Sequence, residues 1–118
     1  MINNELIISK LIKHVNIIAD NNCFKNLGKT NIRSTATAIL NASSIEEIKL
    51  YIFYKASKKD SGWDNTIKVE NKEKKLGEYI NCVIDEIYKD CNGDEKQTIK
   101  YAAKFLGYLY WRLYGVIK

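Results

Sequence analysis

Lys29 and Arg33 stand four residues apart at the start of a helix-like stretch, "KTNIRSTATAIL", with Lys25 a little before them. Side chains at that spacing share one face of a helix. A helix start also offers free N–H groups and the positive end of the dipole, so the pair has the chemistry of a phosphate contact. A second basic set closes "YKASKKD", where Lys55 and Lys59 are four apart and Lys58 lies beside them. Lysines at a helix end also answer the negative end of the dipole, which gives this set a purely structural reading. Arg33 and Arg112 are the only arginines among nineteen basic residues. Arginine is favoured where planar, bidentate contact with phosphate or carboxylate is needed.

Catalytic chemistry finds little to work with. His14 is the only histidine, mid-helix between Lys13 and Val15, and reads as a packed or surface residue. Cys23, Cys82 and Cys91 are an odd number of thiols at spacings that match no zinc pattern. Cys82 and Cys91, nine residues apart, point about 180° from each other around one helix and do not pair within it. The carboxylates Glu46–Glu47, Asp85–Glu86 and Asp94–Glu95 look like capping or solvent-face residues, and the six glycines are isolated rather than gathered in a phosphate loop. We expect a protein that is not an enzyme and needs no metal or cofactor.

The elements that must position the basic residues are helical. In residues 3–20, Leu6 or Ile7, Leu11, Val15 and Ile18 repeat at three and four. "NNCFKNLGK" breaks that pattern, and Thr30 is placed to cap a second helix over 30–41 with Ile32, Ala36, Ile39 and Leu40 inward. Ser43 and Ser44 with Glu46 and Glu47 offer two overlapping capping boxes for a third helix, whose face is Ile45, Ile48 and Ile52, with Tyr51 beside it. Residues 60–71 read as an exposed loop, and Trp63 within it as either a flap over the bundle or a partner contact. Leu76, Ile80, Val83, Ile84, Ile87 and Cys91 form the cleanest stripe, ended by Gly93, and Asp94 with Gln97 opens a last helix over 95–116. No segment alternates well enough for a strand. The fold class is all-α: a single-domain bundle of about five helices spanning 1–118.

The last helix carries six rings in "KYAAKFLGYLYWRLYG": Tyr101, Phe105, Tyr108, Tyr110, Trp111 and Tyr114. Ile99, Ala102, Ala103, Leu106, Leu109, Tyr110 and Leu113 already fill one broad face, so several rings lie outside it. A helix apolar nearly all round is either central in the bundle or touches a second chain. We assign Tyr108, Trp111 and Tyr114 as partly core and partly subunit contact, with base stacking as another use for such rings.

The chain has 118 residues and a net charge of +5, which favours polyanionic or acidic partners. Unpaired thiols suit a reducing cytoplasm. The opening residues lack a basic leader region, and no stretch reaches the roughly 18 apolar residues of a membrane span. We expect a soluble, cytoplasmic protein with no membrane partner.

Three stretches, in order, resemble the small subunit of type III CRISPR effector complexes, of the type III-A kind. "TNIRS" resembles that family's Thr-rich turn followed by Ile/Leu-Arg, through Thr30, Ile32 and Arg33. "YKASKK" resembles its Tyr-x-Ala-Gly-Arg element through Tyr54, Ala56 and Lys58, with Ser57 in place of the glycine and Lys58 in place of the arginine. "YWRLYG" resembles its terminal Tyr-x-Lys/Arg-x-Tyr-Gly, with Trp111 where a histidine is common. The resemblance implies a helical, non-catalytic building block. Copies of it stack beside the guide–target duplex and meet other effector-complex subunits and further copies of themselves. On this reading Lys29, Arg33, Lys55, Lys58, Lys59 and Arg112 are expected to contact the backbones of guide RNA and target RNA, and of these Arg33, Lys58 and Arg112 sit on motif-matching positions. The residues alone leave two other classes open. One is a helix-turn-helix DNA-binding regulator with Asn31 and Arg33 as base readers; the other is a helical protein-interaction module.

Overall fold

A computed structural model describes residues 2–118. The described chain forms five helices and one hairpin: α1 (Asn4–Asp20), α2 (Lys29–Leu40), α3 (Ile45–Ser57), β1 (Thr66–Val69), β2 (Lys72–Lys75), α4 (Leu76–Asp90) and α5 (Glu95–Leu113).

Local chemistry sets most helix starts. Asn3 Oδ1 accepts from Leu6 N, Ser44 Oγ from Glu47 N and Asp94 Oδ1 from Gln97 N, each satisfying a first-turn donor that no helical carbonyl reaches. At α3 the Glu47 carboxylate turns back to accept from Ser43 N rather than from the capping Ser44. α2 begins differently from the sequence expectation. Gly28, not Thr30, is its N-cap and supplies no side-chain bond; the Lys118 carbonyl accepts from Lys29 N at 3.2 Å instead. Leu40, expected inward, is 62 % exposed, because the inward stripe of α2 is Ile32, Thr35 and Ile39.

α5 is the hub: it contacts all four other helices, and α2 most broadly. Two of its rings, Tyr101 and Phe105, are buried core residues together with Ala102, Leu106, Leu109 and Leu113. α3 lies against α4 through a close crossing. A Cβ on Gly77 would come within 2.6 Å of the Ala56 methyl and 3.3 Å of the Ile52 carbonyl oxygen, so the backbones meet only because residue 77 has no side chain.

Residues 60–71 are not a plain loop, and the expectation of no strand fails there. Thr66–Val69 pairs antiparallel with Lys72–Lys75 in the register Thr66↔Lys75, Ile67↔Lys74, Lys68↔Glu73 and Val69↔Lys72. Glu70 and Asn71, at φ 52° and 66°, make the two-residue left-handed turn that matches strand twist. Four-residue strands, the second entirely charged, carry almost no hydrophobic alternation, which is why the pattern was silent. Ile67 is fully buried, and so is Trp63, which turns inward as a flap. Gly62 lets the chain enter this packing: at φ +92° it passes so close to the α1–α2 connection that a Cβ would meet Leu27 Cα at 2.8 Å.

Candidate nucleic-acid interface

The six basic residues singled out by sequence fall into three groups. Lys29 and Arg33 lie where α2 crosses the C-terminal half of α5. Lys29 Nζ sits 3.7 Å from the centroid of the Tyr114 ring, and the Arg33 guanidinium carbon sits 5.8 Å from that of Tyr110. The two tyrosines meet edge to face at 5.6 Å, so cations and rings form a continuous ladder. Lys55, Lys58 and Lys59 close α3. Lys58 Nζ lies 4.5 Å from the Tyr54 ring and Lys55 Nζ 5.8 Å from that of Tyr51. Arg112 stands apart from both groups, facing α1, where its Nε donates to Asn16 Oδ1 at 3.3 Å.

Asn31 joins the first two groups. Its Nδ2 donates to the Ser61 carbonyl at 2.6 Å and its Oδ1 accepts from the Trp63 indole N–H at 3.1 Å. Ser61 Oγ in turn donates to the Lys55 carbonyl at 2.7 Å. The basic end of α3 is thereby fastened beside the first turns of α2. Asn31 is committed inward by these bonds, which removes one of the two side chains that a helix-turn-helix reading would use on bases.

None of these six cations has a carboxylate partner among the described residues. The ion pairs there are Lys10–Asp90 at 3.0 Å and Lys49–Asp85 at 2.6 Å, and His14 Nε2 lies 3.3 Å from a Glu86 carboxylate oxygen, all on the α4 side. His14 is a packed residue: its Nε2 is hydrogen-bonded to the Glu86 carboxylate and its Nδ1 to the Tyr79 hydroxyl at 2.6 Å. This contact spans 65 residues of chain and left no local sequence signal.

A charge segregation that the motif reading missed underlies the pattern. No Asp or Glu occurs between Asp20 and Glu46, or anywhere after Glu95. Those two stretches hold Lys25, Lys29 and Arg33, and Lys96, Lys100, Lys104, Arg112 and Lys118. They contain α2 and nearly all of α5, the pair in broadest contact. Beyond Glu95 in the first turn of α5, the two helices contain no acidic side chain. The α3 end differs, because Asp60 and Asp64 follow its lysines; Asp64 accepts from the backbone N–H of Asp60 and Gly62.

The remaining rings are graded in exposure. Tyr108 and Tyr110 are half-buried, Tyr114 is exposed, and Trp111 is 74 % exposed. Tyr108 packs against Trp111 at 5.7 Å with the planes tilted by 51°. A second apolar surface, not singled out from the sequence, runs along the outer face of α3 through Leu50, Phe53 and Tyr54. Among the described residues no helix is long and apolar enough to cross a membrane. No protein-family model matches this chain, and no curated protein or solved structure matches it either.

Proposed function

We propose that this chain is a non-catalytic RNA-associated subunit of a larger ribonucleoprotein, of the kind the small subunit of type III CRISPR effector complexes represents. The observation that carries this reading is the α2–α5 face, where Lys29 and Arg33 lie on Tyr114 and Tyr110 with no carboxylate to neutralise them. A cation held on a ring keeps its charge and its outward donors, and is favourably placed for a phosphate oxygen. Lys29 and Arg33 are the main backbone contacts to guide or target RNA, with Lys55, Lys58 and Lys59 extending the track. Arg112 contributes from the α1 side. Such contacts position RNA without reading its sequence. The outer face of α3 supplies subunit contact to neighbouring chains, including further copies.

The test is assembly. Arg33→Ala and Arg112→Ala are each compared with the parent chain for fold, incorporation into the complex and protection of bound RNA. Arg33→Ala is expected to fold normally and to lose RNA protection, with Arg112→Ala the milder of the two. If both variants assemble and protect RNA like the parent, the phosphate assignment is wrong. Preference for duplex DNA over RNA would instead favour a DNA-binding regulator.

A further inference from the structure

The outermost stripe of α5 is unaccounted for by the bundle. Lys100, Lys104, Gly107 and Trp111 repeat at four, three and four, which puts them on one face. Lys100, Lys104 and Trp111 are all exposed, and Trp111 is the most exposed large apolar side chain described. Gly107 lies between them in mid-helix, where glycine is disfavoured relative to alanine. No heavy atom lies within 4 Å of where its Cβ would be, so the fold itself gives no steric reason for glycine.

The consequence falls on Trp111. Side chains on a helix lean toward its N-terminus, so the indole leans toward the turn that holds Gly107 and Tyr108, while staying more than 4 Å from where a Cβ on Gly107 would be. Tyr108 braces it at a tilt. Residue 107 adds no side chain beside the indole, and no other atom lies within 4 Å of where its Cβ would be. The lysines one and two turns further along the stripe have no carboxylate partner.

We infer that Trp111, braced by Tyr108 and opened by Gly107, is a stacking platform for one unpaired nucleobase of single-stranded RNA, with Lys104 and Lys100 holding the adjoining phosphates. The inference rests on the RNA reading above and adds a base contact to its backbone contacts. Charge favours this occupant over an apolar protein helix, because the stripe carries two unneutralised cations and no acid. An aromatic face beside a basic track is the arrangement by which single strands are held without sequence preference.

The experiment follows intrinsic tryptophan emission of the full chain as oligouridylate is added, with inorganic polyphosphate as a probe that has charge but no base. Trp63 is buried and bonded to Asn31, so it supplies a constant background. Oligouridylate is expected to quench the exposed indole and polyphosphate to leave it unchanged. Trp111→Ala should weaken oligouridylate binding about tenfold at an unchanged salt dependence, the size expected for one lost base stack. Trp111→Phe should retain most of the affinity, and Gly107→Leu should lose it by covering the ring. Equal affinity of Trp111→Ala and the parent, with binding still salt-dependent, would overturn the platform and leave the phosphate reading standing. Equal quenching by polyphosphate would also overturn it. So would a Trp111→Ala variant that changes oligomeric state but not RNA affinity, since that face would then be a protein contact. No salt-sensitive binding of oligouridylate by the parent chain at low ionic strength would sink both readings together.

Discussion

Lys29 Nζ lies 3.7 Å from the centre of the Tyr114 ring, across the α2–α5 contact. One turn along α2, Arg33 repeats the relationship with Tyr110. The two pairs fix cationic side chains at a helix start without neutralising them. If they contact RNA phosphates, each carries a counterion-release signature. Replacing both Lys29 and Arg33 with alanine should make the log affinity versus log salt slope for single-stranded RNA shallower by about 1.4, at roughly 0.7 per phosphate contact. Circular dichroism should be unchanged, because both side chains lie on the surface side of the contact.

Trp63 and Asn31 are the lock between the hairpin region and α2. Trp63→Ala should destabilise the fold by about 3–5 kcal/mol, as removal of a fully buried large ring does. Asn31→Ala leaves the buried indole N–H without its acceptor and should cost about 1–3 kcal/mol. Denaturant unfolding of the two single variants and the double checks this. The double should be less destabilised than the sum, since the two residues share one hydrogen bond.

The α3–α4 crossing depends on the absence of a side chain at residue 77. Gly77→Ala places a methyl 2.6 Å from that of Ala56 and should destabilise by about 1–3 kcal/mol through overpacking. Adding Ala56→Gly should recover part of the loss, measured as a shift in the denaturation midpoint. Gly107→Ala, where nothing is in the way, should instead stabilise the isolated chain by about 0.5–1 kcal/mol.

Burial pushes the Tyr79 hydroxyl up to about 12, with Glu86, Cys23 and Cys82 adding to the effect, and pushes the Cys23 thiol up to about 11. Both groups are neutral when protonated, so the unfolded chain releases their protons first. Their contribution to stability is complete below about pH 9 and falls as pH rises toward 11–12. Melting temperature followed into that range should drop, and Tyr79→Phe should flatten the drop. Parallel curves for the two proteins would remove Tyr79 from the account. Thiol labelling at mild alkaline pH should modify Cys82 alone at first, because Cys23 and Cys91 are buried and both are held protonated by burial.

What the sequence disclosed follows from the range of the forces involved. Helix caps at Ser44 and Asp94 and the stripe from Leu76 to Ile87 are local, and they read directly from the chain. The hairpin escaped because its turn is Glu70–Asn71 without glycine and its second strand is all charge. Trp63 could not be placed from its neighbours, since Asn31, its partner, is 32 residues away. The rings of α5 divided between two roles that periodicity alone could not separate: Tyr101 and Phe105 are core, while Trp111 and Tyr114 are surface. Of the candidate site, the basic pair on α2 was visible from spacing. That it rests on α5 tyrosines, in the one helix pair almost free of acid, depended on tertiary packing.

The central claim is that this chain works on RNA inside a larger assembly. The most direct measurement is purification of the tagged chain from its native host, beside the Lys29→Ala/Arg33→Ala double variant, with identification of the nucleic acid and proteins retained. The account predicts a short RNA and larger subunits with the parent chain, and less RNA with the double variant. Recovery of the parent chain alone, or with DNA, would contradict it.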